Sequence, residues 1–251
     1  MNRDILKCIN TINDFHKYDY DKLNVGVEIQ DFTEPNLTNM EIEELVKRYK
    51  ELFRDFKHTK ALHGPFLDLK PSSPDEEIRR ISYNKYLRTI KIAMELDINY
   101  VIFHSQINPY LKEPNLMELN NLQAREFWHS IAEEIIDYKG IILIENIFEE
   151  TPEMIKDLIE TIDLPNIKIN FDIGHARLGT VTLENWIKEL KDYLAYIHLH
   201  SNNGVFDLHC IPSDIEIMAL NNLLNKYSLN PVISLEYMSD DVSVEIELLR
   251  R

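Results

Sequence analysis

Two cysteines, Cys8 and Cys210, are all the chain has. They lie near opposite ends of the sequence, which excludes a disulfide framework and a Cys-based zinc site and makes a reducing, cytoplasmic setting the expectation. No stretch approaches the roughly 18 consecutive apolar residues that a membrane-spanning helix needs. The opening residues, MNRDILKCINTINDF, are too polar and too broken by charge to read as a secretory signal. No Gly-x-Gly-x-x-Gly follows any apolar run, which counts against a dinucleotide-binding fold. There is no run of Lys and Arg: 27 basic side chains stand against 43 acidic ones, a formal net charge of −16. That sign disfavours long-range attraction to nucleic acid. There is also no low-complexity segment, linker or break in composition, so residues 1–251 read as one domain.

What the chain does have is a regular alternation of short apolar runs and amphipathic stretches. The runs are 24–29 (NVGVEI), 59–63 (TKALH), 98–104 (INYVIFH), 141–145 (IILIE), 167–172 (IKINFD), 194–200 (LAYIHLH) and 231–236 (PVISLE). They are continuous rather than alternating, as expected for parallel strands covered on both faces. An eighth, shorter strand is expected within 4–9 (DILKCI). Thr38-x-x-Glu41 and Ser213-x-x-Glu216 read as capping boxes. Ser73-Pro74-Asp75-Glu76 and Thr151-Pro152 place proline at a first helical position. Ile42, Leu45, Val46, Tyr49, Leu52, Phe53 and Phe56 recur at helical spacing and mark a face packed on a sheet. Two architectures remain, an open doubly wound sheet and a closed α/β barrel of the TIM type.

The strand ends favour the barrel. Six successive runs finish in a metal-capable side chain: His63, His104, Glu145, Asp172, His198 and Glu236. Asp, Glu and His make up about a fifth of the chain, so six such endings by chance are on the order of one in ten thousand, at the strand ends where barrel sites are built. An ionisable group buried without a partner costs several kcal/mol, and shared cations relieve that cost when many converge. His175 follows Asp172 by three residues, and Asp207 and His209 fall on one face if their segment is extended. Mixed imidazole and carboxylate donors without thiolates suit Zn or Mn better than Ca.

These segments carry a resemblance. VGVEIQDF, LHGPF, YVIFHSQ, LIEN, FDIGH, IHLHSNNGVFDLH and SLEYM, in this order over residues 24–238, make the chain similar to the xylose isomerase-like barrel superfamily. That superfamily joins sugar isomerases and epimerases with endonuclease IV-type AP endonucleases. For an isomerase, the resemblance implies one divalent ion held by Glu145, Asp172, His198 and Glu236, with Glu145 and Glu236 also moving protons at adjacent sugar carbons. For the endonuclease-like pattern it implies three ions. His63, His104 and Glu145 would then serve one, Glu145 bridging to the second, and His175, Asp207 and His209 would hold the third.

GVEIQDF resembles the sugar isomerases, and no basic or aromatic loop presents itself to a DNA groove. The leading expectation is therefore a metal-dependent isomerase or epimerase with a small sugar or polyhydroxy carbonyl substrate and one to three ions, Zn or Mn. An endonuclease IV-like phosphodiesterase and a non-catalytic metal-binding barrel are the alternatives. Substrate contacts are expected from Glu28, Arg177 and His200. The loop after SLEYM reads SDDVSVE, acidic and free of the glycine N–H groups that barrel phosphate sites use. This leaves Arg177 as the best anion contact.

Overall fold

A computed structural model describes residues 3–108, 110, 112–239 and 241–251. Eight strands are formed: β1 (Ile5–Ile9), β2 (Gly26–Ile29), β3 (Lys60–His63), β4 (Tyr100–His104), β5 (Ile141–Glu145), β6 (Ile167–Asp172), β7 (Leu194–Leu199) and β8 (Val232–Leu235). All pair in parallel with their chain neighbours, and β1 against β8 closes the barrel, with Ile5 opposite Ile233 and Lys7 opposite Leu235. The α/β barrel is thus the fold, and the short strand expected within 4–9 is its first. Closure leaves no sheet edge unpaired.

Strand alternation explains where the site lies. On the barrel axis, Leu6, Ala61, Ile102, Leu143, Tyr196 and Val232 form a small apolar plug. The intervening residues, such as Leu62, Phe103, Ile144 and Ile197, face outward into the much larger layer beneath the helices. Side chains on a strand alternate with period two. The next inward positions after Ala61, Ile102, Leu143 and Tyr196 are therefore His63, His104, Glu145 and His198. A layer of ionisable groups rests directly on an apolar floor. Between β6 and β7 the register skips one residue: Ile169 pairs with Leu194 but Asn170 with Tyr196, which sets Asp172 opposite His198.

The helices begin largely where the sequence says. Both capping boxes form, at Thr38 before the helix Asn39–Phe53 and at Ser213 before Asp214–Lys226, and Pro152 opens Pro152–Ile162 after Thr151. One start differs. Asp75, not Ser73, caps the helix Glu76–Glu95, its carboxylate accepting from the N–H groups of Glu77 and Ile78, so Pro74 precedes the helix. In the stripe on Asn39–Phe53, Ile42, Val46, Tyr49 and Phe53 are buried. Among the described residues, no helix is long and apolar enough to cross a membrane.

Arg3 ties the chain's first strand to its last two helices. Its buried guanidinium donates to Asn221 Oδ1 and to the Leu249 carbonyl, each at 2.8 Å, and to Asn225 Oδ1 at 3.1 Å. Arg3→Ala leaves those acceptors unpaired and is expected to lower the unfolding free energy by about 2–3 kcal/mol, measured as a shift in the urea midpoint at unchanged slope.

Candidate metal centre

The residues that end the strands meet at the C-terminal mouth. Glu145 lies between His63 and His104, with its oxygens 3.5 Å from His63 Nε2 and 3.9 Å from His104 Nε2. His198 Nδ1 faces three carboxylates, at 3.0 Å from Glu236, 3.3 Å from Glu145 and 3.6 Å from Asp172. Asp207 Oδ2 lies 3.2 Å from His175 Nε2 and 2.9 Å from His209 Nε2. All nine residues singled out at strand ends and just beyond them therefore fall into one constellation. Its triads share members: His63, His104 and Glu145; Glu145, Asp172 and His198; and a more open group around Asp207.

Each turn that delivers a donor has a local cause. Asp172 caps the helix Ile173–Arg177, accepting from His175 N at 2.7 Å, and this brings the His175 ring back over the barrel. The segment from Asp207 to His209 is not extended. His209 has φ +45°, and the turn folds its ring onto the Asp207 carboxylate, so the two residues converge on each other instead of sharing a strand face. Gly174 is required by a close approach: a Cβ there would stand 1.9 Å from the His200 ring, which itself stacks on His209 with centroids 4.0 Å apart.

The imidazoles are oriented from behind. His63 Nδ1 is 2.9 Å from the Gly64 carbonyl, His175 Nδ1 2.9 Å from the Asn146 carbonyl, and His209 Nδ1 2.9 Å from the Glu236 carbonyl. His198 Nε2 is 3.0 Å from Glu28. Each ring thus has one nitrogen taken by an acceptor, and its other nitrogen is turned toward the carboxylates. This is the arrangement that fixes the tautomer of a metal-ligating histidine. Two buried atoms, His198 Nδ1 and Glu236 Oε2, have no hydrogen-bond partner among the described residues although they lie 3.0 Å apart. Unsatisfied donor atoms aimed at a common point fit a divalent cation.

Electrostatics without a cation are severe. Burial alone would strip the proton from His198, but Glu236, Glu28 and Glu145 outweigh it and hold the pKa well above the imidazole range. His175 is raised in the same way, against burial, by Asp172 and Asp207, and His63 by Glu145. His209 is only half buried and rises to about 9 beside Asp207 and Glu236. His104 goes the other way, to about 3, because burial wins over its longer contact with Glu145. Glu145 and Asp172 are held well below the carboxylate range. Burial opposes this in both; His198 and His63 overcome it at Glu145, and His175 and His200 at Asp172.

Of the three expected substrate contacts, none has a free face toward the mouth. Glu28 is wholly buried, its oxygens accepting from Tyr196 Oη at 2.7 Å and facing His198 Nε2, so it braces His198 from beneath and has no open face toward the cavity. Arg177 is bound to Glu216 and stands outside the residues lining the cavity. His200 is buried with Nε2 on Asp172, 3.1 Å away, which places it behind the donors. Several residues went unread in the sequence. Gln30 Nε2 donates to Glu236 Oε1 at 2.9 Å, and Asn170 Nδ2 to Glu145 Oε2 at 2.9 Å. Asn146 clamps the Asp172 backbone from both sides, and Phe66 stacks on His104 at 4.3 Å. Asn146 follows Glu145 directly in LIEN, which was its one sequence signal. Above the donors opens a cavity of about 940 Å³.

Comparison with known proteins agrees with this architecture. A family model described as the xylose isomerase-like TIM barrel matches residues 16–250. An uncharacterised protein of Methanocaldococcus jannaschii is 32% identical over 210 residues, which cover 78% of this chain and 77% of that protein. A Thermus thermophilus protein, from a crystal soaked with ZnCl2, superposes with a TM-score of 0.77 at 22% identity, covering 98% of this chain and 96% of that one. A D-tagatose 3-epimerase-like protein gives a TM-score of 0.74 at 25% identity, covering 97% and 94%. With a match over nearly its whole length, the chain belongs to the xylose isomerase-like TIM barrel family.

Proposed function

We propose that this protein is a divalent-metal-dependent isomerase or epimerase of a small sugar or related polyhydroxy carbonyl compound. The observation that carries the reading is the placement of two carboxylates, Glu145 and Glu236, at 3.3 and 3.0 Å from the same His198 nitrogen, at the floor of an open cavity. Likeness to a D-tagatose 3-epimerase-like protein supports a sugar as substrate.

Glu145, Asp172, His198 and Glu236 would hold the principal ion, with His63, His104, His175, Asp207 and His209 available to one or two more. When bound, a divalent ion acts as a Lewis acid that acidifies the C–H next to a carbonyl. One carboxylate takes that proton, leaving the electron pair delocalised as an enediolate. The second, entering the step protonated, gives its proton to the opposite face of the same carbon, which is epimerisation, or to the neighbouring carbon while the hydroxyl proton passes to the former carbonyl oxygen, which is isomerisation. Glu236 keeps its Oε1 fixed by Gln30 and its Oε2 free of partners among the described residues. Asn170 fixes Glu145 in the same manner. Glu28 and Tyr196, buried beneath, hold His198 in one tautomer.

A second reading, metal-dependent phosphoester hydrolysis, is favoured by one observation: the complete set of nine donors in three adjacent groups, since clustered ions stabilise both attacking and leaving oxygens. Elemental analysis of protein purified without chelator bears on the two: a value near one ion per chain favours the isomerase, and a value near three favours the hydrolase. A broad panel of aldoses and ketoses is expected to yield at least one interconversion. Glu236→Gln and Glu145→Gln should each lower its rate by about 10²–10⁴-fold. No sugar conversion by metal-loaded protein, together with cleavage of a phosphodiester, would replace the first reading by the second.

Two further outcomes test the donors themselves. Glu28→Ala removes the acceptor behind His198 and is expected to weaken metal binding by about 10–100-fold, measured by competition with a chromogenic chelator. Metal loading at pH 7 is expected to release protons, because ions displace them from the raised imidazoles. This is read as a dependence of calorimetric heat on buffer ionisation enthalpy. For His209 the folded value lies above the ordinary one, so its contribution to metal-free stability is complete below 6.5 and lost as pH rises through about 9. Metal affinity should increase over that same window.

A further inference from the structure

The cavity is divided by polarity. Its floor and one wall carry the donors together with Gln30 and Thr33. The other wall, built by the segments that follow β3, β4 and β5 and by the start of the helix Glu76–Glu95, carries Phe66, Leu67, Ile78, Ile107, Ile147 and Phe148, with the polar Asp68, Lys70, Ser105, Gln106 and Asn108 among them. These strands are consecutive in the barrel, so the apolar side chains gather on one side of the cavity, from the donors to solvent. Phe66 lies flat on His104 at its inner end, while Leu67 and Phe148 are 53% and 66% exposed at its outer end. A free sugar leaves such a face wet. At about 940 Å³ the space is near the upper end of the roughly 300–1,000 Å³ found for small-molecule sites, several times what a monosaccharide fills.

From this division we infer that the substrate has two parts: a polyhydroxy head held over the donor cluster and an apolar substituent, aliphatic or aromatic, laid along the β3–β5 wall. The inference rests on the proposed function only for the identity of the head. Continuity with the donors is what assigns the wall to the same small molecule, since an occupant of one half is within covalent reach of the other.

The test uses zinc-loaded protein and two series of ligands. In n-alkyl hydroxamates the head is a simple metal chelator, and in n-alkyl glycosides it is a sugar. Calorimetric affinity within the hydroxamate series, from acetyl to octanoyl, is expected to rise by about fourfold for each methylene that is buried. Leu67→Ser and Phe148→Ser, both at exposed positions, should flatten that rise, with zinc content and thermal unfolding confirming that the variants are folded. Equal binding of short and long hydroxamates, no binding by either, or a slope untouched by both variants overturns the inference. A dimer in light scattering that dissociates in these variants, with a flat slope, gives the wall to a second copy of the chain and also overturns it. A slope with hydroxamates but no binding of any glycoside leaves the wall assigned and removes the sugar reading instead.

Discussion

The mutual neutralisation of buried carboxylates and imidazoles is the constraint around which this molecule is organised. Glu28, Glu145, Asp172 and His198 are all buried above an apolar plug, where an isolated charge would cost several kcal/mol. They persist because no charge there is isolated. Each carboxylate lies within about 4 Å of at least one ring nitrogen, and the outward nitrogens of the rings are spoken for by backbone carbonyls or by Glu28. Four imidazoles are driven to hold protons in the metal-free protein. A divalent ion would bring two positive charges to the same lone pairs, and would compete with those protons for them.

The barrel makes this arrangement available through its alternation. On β3, β4, β5 and β7 the inward position one step below the mouth is Ala61, Ile102, Leu143 or Tyr196 and fills the axis, while the one at the mouth is ionisable. A short strand such as β3, Lys60–His63, contributes one side chain to each layer, Ala61 and then His63. This division of labour between strand body and strand end is characteristic of the architecture. The segments beyond the strands then add what the strands cannot: a third group of donors from the turn after β7, and an apolar wall from the turns after β3, β4 and β5.

Most of this was legible in the sequence, for identifiable reasons. Apolar runs ending in His, Asp or Glu are conspicuous because burial and ionisability conflict, so His63, His104, Glu145, Asp172, His198 and Glu236 could be found without coordinates. Strand β1 was faint because Lys7, whose amine donates to the Ser239 carbonyl, interrupts a run only five residues long. Gln30, Asn146 and Asn170 were missed because a neutral amide beside a strand has no cost that demands explanation. Glu28 reads from the sequence as a substrate contact, although its spacing of two from Gly26 and its inward side put it under His198; only the barrel's curvature reveals that Tyr196 and His198 cover it. Arg177 looked free because its partner, Glu216, lies in a helix far along the chain.

Closure of β1 on β8 has a consequence for how the molecule comes into being. Glu236 directly follows β8, and β8 can dock only between β7 and the first strand, formed at the opposite end of the sequence. Contacts of such separation form late, after the entropy of closing the intervening loop has been met. A chain still emerging from the ribosome therefore presents His63, His104 and Glu145 long before it has Glu236. The set of groups at the barrel mouth is complete only once the eighth strand has docked.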